Sequence, residues 1–236
     1  MTELTKNLTL AEIVNTHPSL ARQLERRNLD YCCGGATTLE EACATNGLDV
    51  TTVLGELSDA ATDEPTGTWS TMGLVQLVDH LEATHHGYLW SELPRLSALI
   101  DKVFTVHGER HPELGEIRDC FATIRADLEP HLTKEERVLF PMVRQLATAD
   151  SETSLHCGSI QNPISVMLAE HDTVGELLRR LRALCNDYVP PTDGCGSYVA
   201  VFAGFETMEA DTHLHIHKEN NLLFPEVVEV ERRLAS

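Results

Sequence analysis

The sequence predicts an all-α protein in which a small helical module precedes a four-helix bundle. Three observations carry that expectation. Apolar residues recur at helical spacing in four long stretches, near 70–104, 113–146, 163–188 and 195–230. The later pair of stretches repeats the earlier one. HLTKEERVLFPMV from His131 returns as HIHKENNLLFPEV from His215, and HGYLWSELPRLSAL from His86 lines up with HDTVGELLRRLRAL from His171. Finally, SDAATDEPTGT from Ser58 to Thr68 loses large apolar residues and gains Pro, Gly and acids, as a linker does.

These observations divide the chain into a helical module at 1–60, a linker at 61–68 and a bundle at 69–236. In the module, Thr9 with Glu12 and Thr38 with Glu41 have the spacing of capping boxes, in which hydroxyl and carboxylate satisfy exposed N–H groups at a helix start. Between them lies DYCCGG, residues 30–35. In the bundle the connections hold the breakers: His111-Pro112, then Cys157-Gly158 with Asn162-Pro163, then the run from Pro190 to Gly194. Four helices joined in this way make an antiparallel bundle of two related hairpins. Phe140-Pro141 and Phe224-Pro225 are expected to close helices, since proline cannot continue the hydrogen-bond ladder.

Composition limits the function classes. At 236 residues and 42% hydrophobic content the chain can bury a core without staples. With 37 acidic against 18 basic residues, the net charge of −19 argues against a nucleic-acid backbone or an anionic membrane as partner. No apolar run approaches the roughly 18 residues of a membrane span, and MTELTKNLTL lacks the features of a signal peptide, so a cytoplasmic location is expected. Seven scattered cysteines, two of them adjacent, do not suggest a disulfide framework in that reducing compartment.

The chemistry-bearing pattern is the doubled His-x-x-x-Glu, His131 with Glu135 and His215 with Glu219. Residues four apart leave one helical face a turn apart, so one cation can meet both. A single such pair is ordinarily an exposed surface interaction. Two copies, each matched to an aligned histidine on the preceding helix, His86 and His171, point instead to a two-metal site inside the bundle. A carboxylate can bridge two cations, and a His/carboxylate donor set without cysteine favours non-haem iron over structural zinc.

His107, in VHGERHP, has no counterpart in the second half. Spacing alone leaves a further ligand and a solvated loop histidine equally open. His80, His85, His213 and His217 are expected around the ligands or on the surface. Cys32 and Cys33 combine adjacent thiols with flexible glycines, leaving a reactive thiol site and buried structural cysteines equally open. The other five cysteines lack ligand spacing and are expected to be structural.

Taken together, DYCCGG, the linker, HLTKEERVLFP, NPISVMLAEHDTVGELL and HIHKENNLLFP closely resemble the repair-of-iron-centres (RIC) family of YtfE/ScdA-type di-iron proteins. The resemblance covers nearly the whole chain. It implies a hemerythrin-like four-helix bundle behind a cysteine-bearing domain, holding two non-haem iron ions (Fe2+/Fe3+) per chain. His86, His131, His171 and His215 would be terminal ligands, Glu135 and Glu219 bridges, and His107 a further histidine of the site. Cys32 and Cys33 match paired cysteines tied to iron delivery or thiol redox chemistry. The connection from Ala149 to Gln161, with its His156 and Cys157, looks longer than the family's usual one.

The implied function is repair of iron–sulfur clusters damaged by nitric oxide or oxidative stress, with iron donated from the carboxylate-bridged site to damaged or apo iron–sulfur proteins. Alternatives are a di-iron nitric oxide or peroxide reductase and a reversible binder or sensor of O2 or NO. Nitric oxide and peroxide are the small-molecule ligands these readings imply. Enzymatic activity and oligomeric state, a homodimer included, stay open at this stage.

Overall fold

The computed structural model of the chain describes residues 4–61, 68–151 and 154–235, so most of the expected linker at 61–68 lies outside the described residues. Those residues form helices and no strand, with isolated bridges at Thr9–Thr38 and Leu155–Gly158.

The amino-terminal part contains α1 (Leu10–Thr16), α2 (Ala21–Glu25), α3 (Leu39–Thr45) and α4 (Val50–Ala60). Both capping boxes form. Glu12 N–H donates to Thr9 Oγ1 at 3.2 Å while Thr9 N–H donates to the Glu12 carboxylate at 2.8 Å, and Thr38 with Glu41 repeats the arrangement. The loop from α2 to α3 carries Asp30 to Gly35.

Four rods make the bundle. The first joins α5 (Leu74–Leu81) to α6 (Gly87–His107), the second α7 (Glu113–Lys134) to α8 (Phe140–Ala147), the third is α9 (Gln161–Leu184), and the fourth joins α10 (Gly196–Lys218) to α11 (Phe224–Leu234). Helices α6, α7, α9 and α10 surround one core in that cyclic order, each touching the next. The third rod ends earlier than its apolar pattern, because Asn186, Asp187 and Tyr188 all take positive φ and turn the chain.

Three rods are joined internally by π turns, Glu82–His86, Glu135–Leu139 and Glu219–Leu223, in which the N–H of Gly87, Phe140 or Phe224 donates five residues back. The Phe-Pro pairs therefore do not close helices as expected. Pro141 and Pro225 fall in the first turn after a π turn, where the ladder is already interrupted and a missing N–H costs little, and each rod continues beyond.

Burial explains the architecture. One apolar cluster unites the amino-terminal helices with the lower bundle, including Leu10, Leu24 and Leu57 together with Leu96, Phe121, Leu178 and Phe205. A second lies at the other end of the bundle, around Leu77, Val143, Ile164 and Val227. Between them is a layer of buried imidazoles and carboxylates: His86, His131, Glu135, His171, His215 and Glu219.

Candidate metal centre

The six residues lie on all four rods, at or beside the three π turns and midway along α9. They form two overlapping groups, His86, Glu135, His215 and Glu219 in one and His131, Glu135, His171 and Glu219 in the other, with ligand atoms within 4.8 Å of one another. All six side chains are at most 3% exposed.

Each group is closed by a pair of imidazoles meeting edge to edge. Nε2 of His86 is 3.2 Å from Nε2 of His215, and Nε2 of His131 is 3.1 Å from Nε2 of His171. Each carboxylate faces both groups. Glu135 sets Oε1 3.4 Å from His131 Nε2 and Oε2 3.5 Å from His86 Nε2, while Glu219 sets Oε1 3.2 Å from His215 Nε2 and Oε2 3.2 Å from His171 Nε2.

Cations fit this set. Two ligands about 2.1 Å from one ion at right angles stand about 3 Å apart, the spacing seen here. All four oxygens of Glu135 and Glu219 are buried without a properly directed hydrogen bond, an arrangement that a hydrogen-bonded core would not leave standing. Electrostatics points the same way. Burial alone would raise the Glu219 carboxyl, yet the His215 and His171 imidazoles hold it well below the usual range. Burial would lower His131, but Glu135, Glu219 and Glu170 more than offset that and raise it to about 9. Burial and the neighbouring His215 push His86 down.

The outward ring nitrogens reveal a second level of the duplication. His86 Nδ1 meets Glu136 Oε1 at 3.0 Å and His171 Nδ1 meets Asn220 Oδ1 at 2.8 Å, and residues 136 and 220 are equivalent in the repeat. Phe140 and Phe224, also equivalent, lie against the same two rings, with centroids 5.3 and 6.0 Å away. Such partners fix the tautomer and aim Nε2 inward. His131 Nδ1 is held by Glu170 at 2.8 Å, and Glu170 also pairs with Lys134. The position equivalent to Glu170 is His85, which instead stacks on His215 with centroids 5.5 Å apart, leaving His215 Nδ1 without a partner. The residue following each Glu of the doubled motif was the signal that could have disclosed Glu136 and Asn220.

His85 belongs to a buried polar group of its own. Its Nδ1 meets Asp211 at 2.9 Å, and its Nε2 accepts from Lys218 Nζ at 2.7 Å. Lys218 also reaches His80 at 2.9 Å and lies 4.2 Å over the Trp69 ring. Burial brings Lys218 down to about 8 and, with the Lys218 charge, His85 to about 3.

His213 and His217 hold the amino-terminal helices to α10. His213 faces Glu25 at 3.3 Å, and His217, fully buried, meets Tyr31 O at 3.1 Å and Asn15 at 2.9 Å. Alongside them Asn220 and Asn221 donate to Cys32 O at 3.3 and 3.0 Å. Cys32 is buried and donates to Asp30 Oδ1 at 3.1 Å. Its sulfur is 3.9 Å from that of Cys33, and both thiols are free. The Cys33 hydrogen bond and burial push the Cys32 thiol well up. Cys33 Sγ is 4.0 Å from Asn220 Nδ2, so one side chain touches both the thiol loop and His171.

The structure does not bring His107 to this centre. It ends α6, 21 residues beyond His86 and thus about 31 Å along the helix, where it pairs with Cys195. The expectation of a further ligand there is corrected: helical rise carries it away from the polar layer to the end of α6. His156 is exposed, and Cys157 contacts Met142 and Ser159.

The fold and site define a hemerythrin-like helical bundle with a buried His/Glu cluster able to hold cations. Residues 77–227 match the hemerythrin HHE cation binding domain, and residues 6–61 match the ScdA_N domain of unknown function (DUF542). The chain is 32% identical over 216 residues to proteins named iron-sulfur cluster repair protein YtfE from Enterobacter sp. (strain 638), Citrobacter koseri and Shigella boydii serotype 4, covering 92% of this chain and 94% of each of them. The chain belongs to this YtfE family.

Proposed function

We propose that this protein repairs iron–sulfur clusters damaged by nitric oxide or oxidative stress, donating iron from a site formed by His86, His131, Glu135, His171, His215 and Glu219. The observation that supports it best is that Glu135 and Glu219 each turn one oxygen toward each histidine pair, as bridges between two cations do. The relatives' name supplies the repair reaction. Iron is both cargo and occupant: imidazoles and carboxylates hold ferrous iron less firmly than ferric, so reduction favours release.

The chain's own residues do the rest. Glu136, Glu170 and Asn220 hold the outward nitrogens, keeping three Nε2 atoms turned into the layer where they would hold iron. Cys32 and Cys33 would receive iron on its way to a damaged or apo iron–sulfur protein in the cytoplasm, a reading supported by the Asn220 side chain that touches their loop and His171. The described residues include no helix long and apolar enough to cross a membrane.

Oxygen-free purification, iron analysis and Mössbauer spectra test the site on wild type and on Glu135→Ala with Glu219→Ala. About two irons per chain in one coupled signal, lost in the double variant, is expected. Loaded protein should then reactivate a damaged cluster enzyme better than free iron at equal concentration. Zinc, or iron that survives the double substitution, refutes the ligand set, and reactivation no better than free iron refutes donation.

A further inference from the structure

Of the seven cysteines, five of which were expected to be structural, Cys195 alone is exposed. It occupies the N-cap of α10, a helix of 23 residues whose first turn holds Ser197 and Tyr198, and makes no side-chain cap hydrogen bond. From the end of α6, His107 brings Nε2 to 3.2 Å from Cys195 Sγ. That imidazole is only 4% exposed and is walled in by Tyr198 and His111, with ring centroids 5.6 and 6.3 Å away.

The tautomer follows from the far side of the ring. Arg110 Nη2 lies 3.5 Å from His107 Nδ1, and a guanidinium only donates; with Nδ1 accepting, the ring proton is carried on Nε2, on the side of the sulfur. Around the pair, His111 is engaged with Glu113 at 2.9 Å and Asp193 at 3.1 Å, and Arg110 lies 3.7 Å from Asp193. Glu113 and Asp193 are thus engaged by His111 and Arg110. The first-turn N–H groups hold the Cys195 thiol below its ordinary range. A thiolate at a helix N-terminus beside an imidazole donor is the arrangement that makes a cysteine nucleophilic.

We propose that Cys195 and His107 form a thiolate site that reacts with hydroperoxides, separate from the candidate metal centre and about 31 Å from it along α6. The Cys195 thiolate attacks one oxygen of hydrogen peroxide, an S–O bond forms and the O–O bond breaks. Sulfur is oxidised to a sulfenic acid, and the second oxygen leaves as hydroxide and is protonated by solvent. His107 keeps its Nε2 proton throughout and steadies the sulfur.

The test uses the full chain at pH 7. Iodoacetamide rates at each cysteine are read by peptide mass mapping in the folded protein and in urea, where an ordinary thiol is about 3% thiolate. Folded Cys195 should react about tenfold faster than the same residue in the unfolded chain, and dimedone after a peroxide pulse should label it before Cys33 or Cys157. His107→Gln, with circular dichroism unchanged, should lower the Cys195 rate about tenfold. A folded rate equal to or below the unfolded one overturns the proposal on wild-type protein alone, whatever the variant's stability. So does a His107→Gln rate equal to that of wild type.

Discussion

Replacing Asn220 by Ala separates the two tasks its amide performs. One is to accept from His171 Nδ1 at 2.8 Å, and the other is to donate to Cys32 O at 3.3 Å. Removing the partner of a ligating histidine weakens metal binding about 10–100-fold, or about 1.4–2.7 kcal/mol. Asn221→Ala is the matched control. Its amide also donates to the thiol loop, at 3.3 Å to Tyr31 O and 3.0 Å to Cys32 O, but touches no candidate ligand. At about 0.5–1.5 kcal/mol for each hydrogen bond, its loss should cost about 1–3 kcal/mol of stability and leave metal affinity unchanged. Anaerobic competition against a chromophoric ferrous chelator measures the first quantity, and urea unfolding of metal-free protein measures the second. Equal metal affinity in wild type and Asn220→Ala, or equal weakening in both variants, would refute the reading of Asn220 as the support of His171.

The same surface yields a steric prediction at Gly35, whose added Cβ would lie 2.7 Å from Tyr31 O and still nearer Asn221 Oδ1. Gly35→Ala should therefore lower stability by about 1–3 kcal/mol and speed Cys32 alkylation as the loop shifts. Burial holds His217 neutral, with its pKa down to about 4, so as pH falls the unfolded chain takes up this proton first. Its contribution is intact above about pH 6.5 and declines toward pH 4. Between pH 7.5 and 5.0 wild type should lose about 2 kcal/mol more than His217→Gln in urea titrations, and parallel pH profiles would contradict this. Phe121 is fully buried with its ring centroid 4.8 Å from that of Phe205, and Phe121→Ala should cost about 3–5 kcal/mol in the same assay.

The legible parts were those that duplication writes twice. His131 with Glu135 and His215 with Glu219 stand at equivalent positions, as do His86 and His171, and the structure gathers all six in one layer. Helical periodicity located the rods for the same reason, since an apolar stripe must follow the turn of the helix. What stayed hidden depends on contacts that no periodicity encodes. A π turn changes the register by one residue without altering composition, so Phe140-Pro141 read as an ending. His107 misled because a histidine near the end of a ligand-bearing helix has the right chemistry and the wrong height. Glu170 and Asn221 find their partners only across the bundle or on the thiol loop.

The π turns interrupt three of the four rods at the level of the polar layer, and α9 alone runs through that layer unbroken, from Ile164 in one apolar cluster past His171 to Leu178 in the other. The two ends of the bundle therefore resemble two folding units strung on one shaft. Any opening that leaves both apolar clusters whole must concentrate its motion in the seam between them, where the six donors lie. Hydrogen exchange should find the amides of the π turns freer than those of the clusters on either side, with α9 protected along its whole length. A cation seated there would act as a rivet through that seam, and its loss would loosen the joint while both halves keep their shape.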